Sequence, residues 1–246
     1  MTKTVVLNNV DHHDVRVVLG HAPAWGDAVN QVLVFPTEFD DAQRDYPILF
    51  RKDADGEFQS VALLGLDRDE NLFLDEAGWQ GRYVPATRQN GPFLIGHHGH
   101  AEPMIHIDLD HPRVSRQAGE PLFRTHGGNS PYLDHVIRVL GRIHDGMAVS
   151  APMFAAFAEA DLIEPIVLQI QLDDTLQYNL PDFYTIGPAR LARLDGPALE
   201  RLHRSGFLRA AFMVMSSIAN VSRIIDLKNR RRAAAENDVR LMAQPA

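Results

Sequence analysis

Between residues 31 and 110 the apolar positions come in short runs separated by turn formers, the signature of antiparallel strands. Gln31-Val32-Leu33-Val34-Phe35 ends at Pro36, and Leu72 to Asp75 closes the series. Between them, Pro47 to Arg51 and Phe58 to Gly65 flank Asp53-Ala54-Asp55-Gly56 as the arms of a hairpin flank its turn. Val61-Ala62-Leu63-Leu64-Gly65-Leu66 is apolar without alternation, which predicts a strand covered on both faces. A second strand pair is expected later, where Ile166 to Leu172 and Leu176 to Leu180 flank Asp173-Asp174.

Elsewhere the period lengthens to that of a helix. Pro131 to Gly146 carries Tyr132, Val136, Val139, Leu140 and Ile143 at helical spacing, with Ser130 as N-cap and Pro131 at the first helical position. Ser150-Ala151-Pro152 reads as the start of a separate helix running to about Ala160. Two short helices, over residues 189–194 and 197–205, follow the Gly187-Pro188 break, and Gly206 caps the second. From Phe207 a long helix places Leu208, Ala211, Phe212, Met215, Ile218, Ala219, Ser222 and Ile225 on one stripe. The expected architecture is α+β: antiparallel sheets from residues 31–110 and 165–181, covered by helices, with a long C-terminal helix. One domain is expected over residues 1–227, followed by a charged helix end or flexible tail over 228–246.

Charge and composition narrow the partners. The 246 residues carry a formal net charge of -8, which repels nucleic acid. The basic run Lys228-Asn229-Arg230-Arg231-Arg232 is read as a helix end whose cations suit the helix dipole. There is no cysteine, so disulfides, thiolate metal sites and cysteine nucleophiles are excluded. Met1 to Asn9 lacks the hydrophobic stretch of a signal peptide, which makes a cytoplasmic location the expectation. Ala210 to Ile225 is interrupted by Ser216, Ser217, Asn220, Ser222 and Arg223, and no membrane span is expected.

Five of the twelve histidines, His97, His98, His100, His106 and His111, crowd one segment. The plain reading sets them at an exposed hairpin tip. The chemical reading pairs His106 with Asp108 on one strand face and adds His98 or His100, giving a two-histidine, one-carboxylate set able to hold iron or zinc. Such a site would suit a non-haem iron oxygenase. Other templates fail: the chain has no Gly-x-Ser-x-Gly elbow, phosphate loop or dinucleotide fingerprint. For recognition, Trp79, Arg82 and Tyr83 bring together the residue types that dominate binding hot spots. The expected partner is a protein or peptide, with a second copy docking on the 207–225 helix as another option.

Several motifs recur in a fixed order: Tyr46-Pro47-Ile48-Leu49-Phe50, Asn71-Leu72-Phe73-Leu74-Asp75, Gly81-Arg82-Tyr83-Val84-Pro85, Ile105-His106-Ile107-Asp108, Gly119-Glu120-Pro121-Leu122-Phe123, Leu162-Ile163-Glu164-Pro165 and Leu202-His203-Arg204-Ser205-Gly206-Phe207-Leu208. Their order and spacing resemble the SapC family of bacterial proteins across most of residues 31–227. The resemblance implies an accessory role in envelope, surface-layer or peptide-related pathways, and it implies no reaction.

Overall fold

The computed structural model describes residues 3–96 and 104–242. Its main sheet has five antiparallel strands in the spatial order Ile163–Gln171, Gln177–Ile186, Ile48–Lys52, Phe58–Leu63 and Gln31–Leu33. The expected hairpin forms with Ile48 opposite Ala62 and Lys52 opposite Phe58. Asp53 holds its turn by accepting from the Asp55 and Glu57 amides, both at 3.0 Å, and Gly56 supplies the left-handed residue at φ 87. The late strand pair is remote in sequence but joins the same sheet, through Tyr184 opposite Phe50.

Val61 to Leu64 is buried on both faces, as its unbroken apolar run predicts. Val61 and Leu63 pack with Leu49 and Leu168 on one side, while Ala62 and Leu64 join Ile48, Phe50, Phe154 and Phe157 on the other. Residues 31–110 do not all join this sheet. Phe93–Gly96 and Met104–Asp108 leave the main sheet and pair with Thr4–Val6 in a small sheet of their own. Val15, Val17, Phe93, Ile107 and Leu122 form a second core there.

One helix spans both cores. It runs unbroken from Pro131 to Glu159, where two helices were expected. Its first half buries Leu133, Val136 and Leu140 in the second core, and its second half buries Met153, Phe154 and Phe157 in the main core. Pro152 removes the hydrogen bond to the Ala148 carbonyl, but Ala148 is exposed and water can replace that bond, so the apolar stripe carries the helix through. Gly146 sits at a close approach, since a Cβ there would lie 2.4 Å from Phe35.

The C-terminal helix is built from Phe207–Ser217, a tighter turn over Ile218–Asn220, and Val221–Met242. Its buried residues include Ala210, Ala211, Val214, Ser217 and Ile224, so the inward stripe is offset from the expected one and Phe212 is exposed. Ser217 turns inward because its hydroxyl accepts from the Ile48 amide at 2.8 Å and donates to the Val214 carbonyl at 2.6 Å. Within residues 207–237 lies a stretch with mean hydropathy 1.3, long and apolar enough by composition to cross a membrane; here the helix lies against the main sheet.

The basic run continues this helix and is tied to the body. Lys228 Nζ lies 2.7 Å from Glu70 Oε1 and also pairs with Asp67. Arg231 donates to the Asn71 and Leu74 carbonyls at 3.1 and 2.7 Å, Arg232 meets Asp173, and upstream Arg223 pairs with the fully buried Asp45.

Candidate functional site

The loop through Gly81, Arg82 and Tyr83 is held from beneath by buried polar groups. The Tyr46 hydroxyl accepts from Trp79 Nε1 at 2.8 Å and donates to the Tyr83 carbonyl, while the Tyr83 amide donates to Asp45 at 3.1 Å. A Cβ at Gly81 would lie 2.1 Å from the Tyr46 oxygen, so this approach requires glycine. The Tyr83 hydroxyl then donates to Glu38 Oε2 at 2.7 Å. Glu38 also accepts from the Phe35 and Ala86 amides, each at 2.9 Å. Burial raises the Glu38 carboxyl above its ordinary value despite these donors, and burial together with the Glu38 charge pushes the Tyr83 phenol up. Arg142 completes the chain, donating to the Tyr83 hydroxyl at 3.1 Å and lying 3.5 Å from Asp41.

Above this support opens a cleft of about 670 Å³. One wall is the Arg82–Val84 loop and the short helix Ala86–Gln89; the opposite wall is the first three turns of the Pro131–Glu159 helix, contributing Tyr132, His135, Arg138, Val139 and Arg142. Leu19, Gly20, His21 and Arg113 close it from the second core's side. Four arginines and two histidines line the cleft against a single carboxylate, Asp41. Arg142 shares that acid, whereas Arg82, Arg113 and Arg138 make no ion pair among the described residues. The cleft is therefore locally cationic on a chain of net charge -8, with an aromatic wall at Tyr83 and Tyr132.

Arg82 and Tyr83 thus line this cleft, while Trp79 stands behind the loop, packed against the main core and bonded to Tyr46. His106 and Asp108 lie on the Met104–Asp108 strand with Ile107 buried between them, so both point away from the second core. His106 packs over Gly96, and Asp108 accepts from the Asp110 amide at 3.1 Å. His98 and His100, the remaining ligands of the expected metal set, lie outside the described residues. Among the described residues no group of three or more histidines and carboxylates is gathered for a metal ion.

Sequence reasoning missed Arg113, Tyr132, Arg138 and Arg142. The signal for the last three was the spacing 132–135–138–142, which sets Tyr132, His135, Arg138 and Arg142 on one helical face. Arg113 had no such signal. Chemically, an aromatic-walled cleft rich in guanidinium groups without acid partners is suited to holding anions such as carboxylates or phosphates. A family model described as SapC matches residues 7–224. No curated protein and no solved structure matches the chain.

Proposed function

The chain belongs to the SapC family, and from that premise we propose that it is an accessory protein whose cationic cleft binds an acidic segment of a protein or peptide partner. One observation carries this reading: three arginines of the cleft, Arg82, Arg113 and Arg138, have no carboxylate partner among the described residues of a chain that has 32 acidic residues available. Cations left unpaired amid such an excess are placed to meet charge from outside. Tyr83, fixed by Glu38 beneath and Arg142 above, offers a rigid aromatic face of the kind that anchors recognition.

The test is fluorescence anisotropy with a labelled, amidated hexaglutamate peptide and a hexalysine control at low salt. Wild type should bind the acidic peptide alone, and the Arg82→Gln/Arg138→Gln variant should bind it about tenfold more weakly. Equal binding by that variant, or none by wild type, would discard the reading.

A second reading, a metal-dependent enzyme of the non-haem iron oxygenase type, draws on the shared orientation of His106 and Asp108. With His98 or His100 they would supply two histidines and a carboxylate for iron or zinc. Elemental analysis of untagged protein decides it: about one metal ion per chain, lost in His106→Ala, is the expected outcome, and metal-free wild type would sink it.

A further inference from the structure

The floor of the cleft differs from its rim. Arg82, Arg138 and Arg142 are exposed, and their charges are solvated, but Arg113 is only 6% exposed. Its Nε donates to the Val18 carbonyl at 2.8 Å, and its guanidinium lies over the Trp25 ring at 5.6 Å. Those two contacts fix the plane of the group while leaving both terminal amines without an acceptor among the described residues. Asp27 shares a smaller cavity with Arg113 but forms no ion pair with it; its Oδ2 accepts from the Ala22 amide at 3.0 Å and lies 3.4 Å from His21.

Neither terminal amine is among the solvent-shielded atoms, so the guanidinium is held in place yet stays open to solvent and to an anion. Beside it, also lining the cleft, the Tyr132 hydroxyl is shielded from solvent and has no hydrogen-bond partner. Two groups in the lining of one cleft therefore have donors without a protein acceptor among the described residues.

Building on the reading of the cleft as an acidic-segment site, we propose that Arg113 and Tyr132 form a subsite for one carboxylate of that segment. The two terminal amines hold its oxygens side by side, and the Tyr132 hydroxyl donates a further bond. Of the four cleft arginines only Arg113 has its guanidinium held in place beside Tyr132, and its one charge matches a carboxylate, whereas a phosphate monoester carries about -1.5 to -2 at neutral pH. A chain-terminal carboxylate and an Asp or Glu side chain share this chemistry.

Two labelled hexaglutamate peptides, one with a free C-terminal carboxylate and one amidated, test the subsite by anisotropy against wild type, Arg113→Lys, Tyr132→Phe and the rim variant Arg82→Gln/Arg138→Gln. Arg113→Lys should weaken binding at least about tenfold and Tyr132→Phe about fivefold, with the unliganded Tyr132→Phe melting no lower than wild type because the lost hydroxyl was unpartnered. Tighter binding of the free-ended peptide by about tenfold identifies the chain end; equal binding of the two identifies a side chain. Wild-type affinity in both floor variants overturns the subsite. So does a melting-temperature rise with inorganic phosphate, dependent on Arg113, that acetate does not produce.

Failure of the wider reading is separable. If floor variants lose affinity while the rim variant does not, or if no peptide binds yet acetate stabilises wild type and not Arg113→Lys, the subsite stands without the rim. If neither peptide nor acetate registers, both proposals fall.

Discussion

On the C-terminal helix, Arg223, Lys228, Arg231 and Arg232 are each bound to an acid or a carbonyl of the body. In the cleft, Arg82, Arg113 and Arg138 meet no acid among the described residues. The contrast runs against appearance in the sequence. A contiguous basic run has the look of a binding patch, yet it serves as a clamp holding the helix to Asp67, Glu70 and Asp173. The cleft arginines are scattered from position 82 to 142 and attract no notice until folding gathers them. Density of charge along the chain is thus a poor guide to which charges the fold leaves without an acid partner.

The largest test of this contrast is Lys228→Met. It leaves Glu70, buried beside it, without its cation, and should cost about 3 kcal/mol in urea denaturation. A loss below about 1 kcal/mol would show that the clamp is no more structural than the cleft.

Salt should separate the regions next. Raising it from about 50 to about 500 mM should weaken acidic-peptide binding about tenfold, because the rim arginines are exposed, while shifting the melting temperature little. Salt-independent binding would count against the electrostatic reading of the cleft.

Acid should act with opposite signs on the two sides. The bond from Lys228 lowers the Asp67 carboxyl, so its contribution is fully present above the ordinary value of 3.8 and is lost as pH falls through the lowered value. Asp67 is half-exposed, and the loss should stay under about 1 kcal/mol, seen as earlier proteolysis near Lys228 below about pH 4. Glu38 is raised by burial, so its ionised form weakens the fold at neutral pH and protonation on mild acidification relieves that cost. A melting temperature that falls steadily from pH 7 to 5 would contradict this assignment.

The smallest expected change is the most pointed. Arg113→Met removes one bond to Val18 and the contact over Trp25, and with them a cation that no acid among the described residues balances; these effects oppose, and stability should move by less than about 1 kcal/mol. A loss matching that of Lys228→Met would place Arg113 among the structural cations.

Much of the fold was legible because its signals are local. The Asp53–Gly56 turn announced its hairpin, and the Val61–Leu66 run announced a strand covered on both faces. The unbroken helix from Pro131 to Glu159 was not legible, since Ser150-Ala151-Pro152 carries a helix-start signal and the burial of apolar residues in two separate cores carries the helix past the proline. Likewise Ser217 faces inward because an amide of a strand 169 positions away needs an acceptor. In the candidate site, Arg82 and Tyr83 stood out by residue type, and the arginines of the facing helix could have been found from their spacing.

By itself the sequence determined the tight turns, the apolar runs and so the α+β class, because each depends on residues within a few positions of one another. Only the tertiary structure decided which charges are neutralised. Lys228 meets Glu70 across 158 positions, and Arg113 reaches the cleft floor without meeting any such acid among the described residues. Electrostatic pairing depends on distance and burial, and neither is written in the order of residues along the chain.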